Sequence, residues 1–114
     1  MTSWAVYPAL DPHRPAGLSP AVIQGELRRR LRFRGVTVTD ALEAGSLETY
    51  GTSPQRGGLA AQAGMDLLLC SARDVAQGTS TVAALAAALQ GHQLNRGEFE
   101  LALVRVLALR GRLR

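Results

Sequence analysis

The sequence contains no lysine: all thirteen basic residues are arginine. Aromatics are scarce, at 4% of the 114 residues, so leucine, valine and alanine must build the core. Cysteine occurs once, at Cys70. A single cysteine excludes an intrachain disulfide, and without companion ligands it makes no zinc site. No apolar run approaches the roughly 20 residues that span a bilayer. The N-terminus, MTSWAVYPAL, has neither a basic start nor a small-residue cleavage site, so it does not read as a signal peptide, and the chain as given reads as cytoplasmic.

What is present points to one small folded domain. The chain is 46% hydrophobic, too much for a disordered segment. Its net charge is +4. The arginines gather in RRRLRFR (28–34) and in the terminal ALRGRLR. Such runs can mark nucleic-acid surfaces. Here Phe33 is the only stacking aromatic among them, so a solvated face is the plainer reading and no nucleic-acid partner is expected.

Patterning divides the chain into alternating elements. Residues 2–7, closed by Pro8, read as a strand. ALDPHRPAGLS is a polar, proline-rich loop. Ser19-Pro20 is a helix start, followed by Ile23, Leu27 and Leu31 in one stripe and stopped by Gly35. Val36–Thr39 reads as the next strand. Leu42, Leu47 and Tyr50 allow a helical turn or a loop. A helix over 54–63 ends at Gly64, and the apolar run 66–70 reads as a strand buried on both faces. A helix over 79–90 follows. Asn95 and Glu98 form a capping box for a last helix with Phe99, Leu103, Val106 and Leu107 on one face.

This order predicts an α/β fold with parallel strands at 2–7, 36–39 and 66–70, joined by right-handed crossovers. So few strands read as part of a larger parallel α/β fold. In such folds chemistry sits at the C-terminal ends of strands. Asp40 stands there, at the end of GVTVTD. Two readings remain open on the residues alone: a cap for a turn beginning Ala41-Leu42-Glu43, or a catalytic carboxylate.

Four stretches carry a resemblance: MTSWAVYPALD, PAGLSP, LRFRGVTVTDALEAG and AAQAGMDLLLC. In order and spacing they resemble glycoside hydrolase family 3, in the beta-N-acetylhexosaminidase-like branch. The resemblance implies that residues 1–114 are a partial catalytic barrel domain, the C-terminal three βα units of a (β/α)8 barrel. It implies a carbohydrate substrate, a retaining mechanism and Asp40 as nucleophile. No cofactor and no metal are expected. The sequence departs from the family pattern at Ala41, where a second acid is common, and at Ala44, Ser3 and Trp4. The family's acid/base pair and upstream sugar contacts have no counterpart here. The isolated chain is therefore expected to be inactive and to self-associate or pair with a missing barrel half; a non-catalytic sugar-binding or partner-binding remnant is the alternative.

Other residues carry less. Trp4 is a candidate sugar-stacking residue, with core packing the plainer role. His13 and His92 read as surface histidines, Asp11 as a turn former, Glu43 as a solvated helix residue, Asp66 as structural and Cys70 as an inert thiol. Gly57-Gly58 lacks a phosphate-loop pattern.

Overall fold

A computed structural model of the chain describes residues 1–113. Its centre is a parallel pair, β3 (Val38–Ala41) and β4 (Leu67–Leu69), joined through the helix α1 (Ser53–Ala63). The Leu67 N–H donates to the Thr37 carbonyl at 3.0 Å, and the Leu42 N–H to the Leu69 carbonyl at 3.0 Å. Between these bonds the register shifts. The Thr39 hydroxyl there accepts the Leu69 N–H at 2.9 Å, replacing a backbone acceptor.

The first predicted strand is corrected. Residues 2–7 do not form a third parallel strand. β1 (Val6–Tyr7) instead pairs antiparallel with β2 (Asp11–Pro15). Asp11 turns the chain back: its carboxylate accepts the His13 and Arg14 N–H groups and the Ser19 hydroxyl. The hairpin continues inward, with Ala16 N–H on the Ala5 carbonyl and Gly17 N–H on the Ser3 carbonyl. These bonds commit the segment to its own return strand. What remains of the expected pairing is one bond, from the Thr2 N–H to the Val38 carbonyl at 2.9 Å.

The helix after Ser19-Pro20 covers Ala21–Arg30 and is wound wide, with the Leu31 N–H donating to the Glu26 carbonyl five residues back. Only Ile23 of its expected stripe is buried, and Leu31 is exposed. Ile23 packs with Leu18, Leu47, Ala60, Ala63 and Met65 as the core. A short 3-10 turn, Gly45–Tyr50, delivers Leu47 to it. α1 opens on a reciprocal Thr52–Gln55 cap and closes at Gly64, whose φ of 101° suits glycine. A Cβ there would also lie 2.2 Å from Gln24.

α2 runs Val75–Gln90, starting earlier than the apolar periodicity implied because Asp74 caps it from the Ala76 N–H. It packs on α1 at Gly57, where a Cβ would meet Thr81 at 2.7 Å. α3 (Arg96–Arg112) is capped by Asn95, which accepts the Glu98 N–H, but the expected box is half formed, since the Glu98 carboxylate accepts from Gln24 instead. Its apolar face is not covered: Leu103, Val104 and Leu107 are exposed, as is Leu67 of β4, which was expected to be buried on both sides.

Two arginines cross from this outer layer to the start of β4. The Asp66 carboxylate is fully buried and receives Arg28 at 2.6 Å and Arg105 at 2.8 Å. The Thr37 N–H and hydroxyl also donate to it, at 2.8 and 3.0 Å. Asp66 is structural, as expected. The reading of the arginine run as a wholly solvated face is corrected at Arg28, whose side chain also reaches the Gly35 carbonyl and lies 5.5 Å from the Phe33 ring centre. A buried carboxylate is costly unless paired, and Asp66 drew that residue inward.

Candidate active site

Asp40 lies in β3, near the strand's C-terminal end, and is exposed. Its Oδ1 accepts the Ala41 N–H at 2.8 Å. Among the described residues its Oδ2 has no partner. It caps no helix: the next helical turn begins at Gly45, with Ala44 as its leading residue. The capping reading of Asp40 is thereby corrected.

The peptides after Asp40 are held one by one. The Trp4 indole Nε1 donates to the Ala41 carbonyl at 2.9 Å. The Leu42 N–H is taken by Leu69, and the Leu42 carbonyl accepts Arg56 Nη1 at 2.8 Å. Arg56 is buried and also donates its Nε to the Gly51 carbonyl at 2.8 Å. A guanidinium between two carbonyls gives the loop a stiff brace, because its planar fork loses little freedom in making two bonds. Trp4 itself is half-buried, packed on the core and against Gly17. It touches the site through its N–H.

Glu43 is not a solvated helix residue, which corrects that expectation. Its carboxylate accepts the Ser71 hydroxyl, the Ser71 N–H at 3.3 Å and Gln77 Nε2 at 2.8 Å. Gln77 in turn donates to the Ser53 hydroxyl at 3.2 Å and accepts the Ala72 N–H at 3.0 Å. The loop after β3, the loop after β4 and the first turns of α1 and α2 are thus clasped together. Burial pushes the Glu43 carboxyl up, but the bonds from Gln77 and Ser71 outweigh it and hold it down at about 2. A general acid needs the opposite tuning, so Glu43 is a poor proton donor. Sequence reasoning missed this clasp because Gln77 lies 34 residues away.

The depressed value has a sign. A carboxylate that ionises more readily in the folded state adds stability above its ordinary 4.5, and that stability is lost as pH falls towards about 2. Melting temperatures taken between these limits should fall less steeply for Glu43→Gln than for the unaltered protein. Parallel curves would show that the clasp does not form.

The other candidates lie apart. His13 is exposed in β2, its carbonyl accepting the Tyr50 hydroxyl at 3.0 Å, and His92 is exposed after α2. Cys70 follows β4, with Thr81 Oγ1 4.0 Å from its Sγ. Among the described residues no three His, Cys, Asp or Glu side chains come together as a metal set, and no helix is long and apolar enough to cross a membrane.

The glycosyl hydrolase family 3 N-terminal domain matches residues 1–109. An uncharacterized secreted glycosyl hydrolase of Arthroderma benhamiae is 51% identical over 113 residues, covering 99% of this chain and 32% of that protein. A beta-hexosaminidase of Thioalkalivibrio sulfidiphilus is 42% identical over 69 residues, 60% of this chain and 20% of that one. The crystal structure of a beta-N-acetylhexosaminidase from Beutenbergia cavernae superposes with a TM-score of 0.86 and 37% identity, over 97% of this chain and 32% of that chain. This chain spans about a third, or less, of the length of these relatives.

Proposed function

Since the chain belongs to glycosyl hydrolase family 3 through the family's N-terminal domain, we propose that it carries the nucleophile of a retaining glycosidase and that Asp40 is that nucleophile. Its substrate is a beta-linked N-acetylhexosaminide, the class named for the relatives. In this reading the chain supplies C-terminal βα units of a longer (β/α)8 barrel, with Asp40 at the mouth. Asp40 attacks the anomeric carbon through its unpartnered oxygen, the leaving oxygen takes a proton from a separate acid, and water then cleaves the glycosyl ester. Trp4 borders the same mouth, where its N–H holds the Ala41 carbonyl that follows the nucleophile.

One observation carries the reading: an exposed carboxylate at a parallel strand's end, on peptides pinned by Trp4, Leu69 and Arg56. Such support is what a nucleophile needs to hold an attack geometry. Because Glu43 is held down at about 2, the proton donor in this reading is a different residue. The isolated chain should therefore leave natural glycosides intact.

The test is covalent trapping. The segment is completed with the upstream barrel of a relative and treated with a fluorinated glycoside bearing an activated leaving group. Peptide mapping should find the sugar on Asp40. A label on Glu43 or Asp11 refutes the assignment. Sugar binding with no label at all favours the non-catalytic remnant.

The exposed Leu67, Leu103, Val104 and Leu107 carry a second expectation. Apolar surface and open strand edges of this kind drive association. Light scattering on the isolated chain should show self-association, or else marginal stability. A tight monomer melting cooperatively above about 60 °C would contradict it.

A further inference from the structure

The end of the Ala21–Arg30 helix, the segment after it and α3 enclose a groove of about 470 Å³ lined by Arg28, Arg29, Arg32, Phe33, Arg34 and Arg105. No carboxylate lines it. Arg28 and Arg105 are spoken for by Asp66. Arg29, Arg32 and Arg34 are exposed, and among the described residues none of them pairs with an acid. Arg28 Nε, buried in the groove wall, also has no hydrogen-bond partner.

The local chain path produces this crowding. Arg32 adopts a φ of 54°, which an ordinary side chain reaches only at a cost. That turn follows the last residues of the helix and brings Arg29 and Arg34 to one groove. Three unpaired guanidiniums in a concave surface build a strong positive potential. Arginine forks match the oxygens of phosphate groups, often two at a time. The volume lies in the range of small-molecule sites and exceeds the space of one phosphate.

We propose that this groove binds a small oligophosphate, a ligand carrying two or more linked phosphate groups. Arg29, Arg32 and Arg34 supply the contacts, and Asp66 fixes the wall by holding Arg28 and Arg105. No residue of β3 or of the loop after Asp40 lines it.

Calorimetric titration with inorganic tripolyphosphate at about 0.15 M salt tests it. Saturable binding is expected, weakened roughly tenfold or more in the triple variant Arg29→Gln, Arg32→Gln, Arg34→Gln, because charge-assisted bonds are lost together. A control triple variant, Arg14→Gln, Arg73→Gln, Arg96→Gln, removes the same charge from exposed positions elsewhere and should bind as before. All six side chains are exposed, so neither variant should differ from the unaltered chain in fold or association state, which circular dichroism and light scattering verify. Equal weakening in both variants overturns the site and leaves only diffuse net charge. Absence of saturable binding overturns it too. So does binding of a short single-stranded oligonucleotide without binding of tripolyphosphate, which would make the groove a nucleic-acid surface.

Discussion

Asp66→Asn should lower stability by about 3–5 kcal/mol, the usual cost of removing one partner from a buried ion pair. The amide keeps the shape of the side chain and can still accept the Thr37 N–H. What disappears is the charge facing two guanidiniums, 2.6 and 2.8 Å away, with side chains only 10% and 20% exposed. Domains of this size hold about 5–15 kcal/mol in total, so the loss is a large fraction. A melting temperature lower by more than about 10 °C is expected, given about 4–8 °C per kcal/mol for small domains. Replacing Asp66, Arg28 and Arg105 together by leucine and methionine should recover much of the loss, because no charge is then left buried alone. A shift of only a degree or two for Asp66→Asn would mean that the ion pairs are not formed in solution.

The second large effect belongs to chemistry. In the completed barrel, Asp40→Asn should reduce hydrolysis by at least about 10⁴-fold, because the amide cannot form the glycosyl ester. Stability should hardly change. The side chain is exposed, and asparagine can accept the Ala41 N–H as the carboxylate does. The shorter variant Asp40→Gly makes a finer test. With an activated glycoside, added azide should restore turnover and give the product of inverted configuration, since the small anion attacks from the vacated face. Activity retained in Asp40→Asn, or no rescue of Asp40→Gly, would return Asp40 to the status of a strand-end polar residue.

Local patterns made much of this molecule readable. Ser19-Pro20, Gly64 and Asn95 mark helix ends through chemistry that acts within a few residues: Ser19 Oγ accepts the Val22 N–H, Gly64 closes α1 and Asn95 accepts the Glu98 N–H. The alternation Val36 to Thr39 places Asp40 at a strand end for the same reason. Pairing partners are another matter. An apolar run such as 2–7 declares that it is extended, but not which neighbour takes its hydrogen bonds. Asp11, read as a turn former, decided that by folding the segment back on itself. Arg28 and Glu43 were misread because both answer to groups far along the chain, Asp66 at 38 residues and Gln77 at 34. Periodicity describes one element at a time and cannot see such partners. The groove of arginines was visible as composition and hidden as geometry, since only the turn at Arg32 gathers it.

The Asp66 junction also bears on time. Its bonds close chain loops of 38, 29 and 39 residues, to Arg28, Thr37 and Arg105. Loops of 38 and 39 residues must be ordered before the two arginine contacts reward the chain, so those contacts are expected to form late, whereas the Thr37 bond closes the same loop as the β3–β4 pair. Contacts absent from the folding transition state leave the folding rate almost untouched and act instead on the reverse step. The two arginine contacts are therefore expected to act as a brake on unfolding, so that Asp66→Asn speeds unfolding more than it slows folding in stopped-flow kinetics.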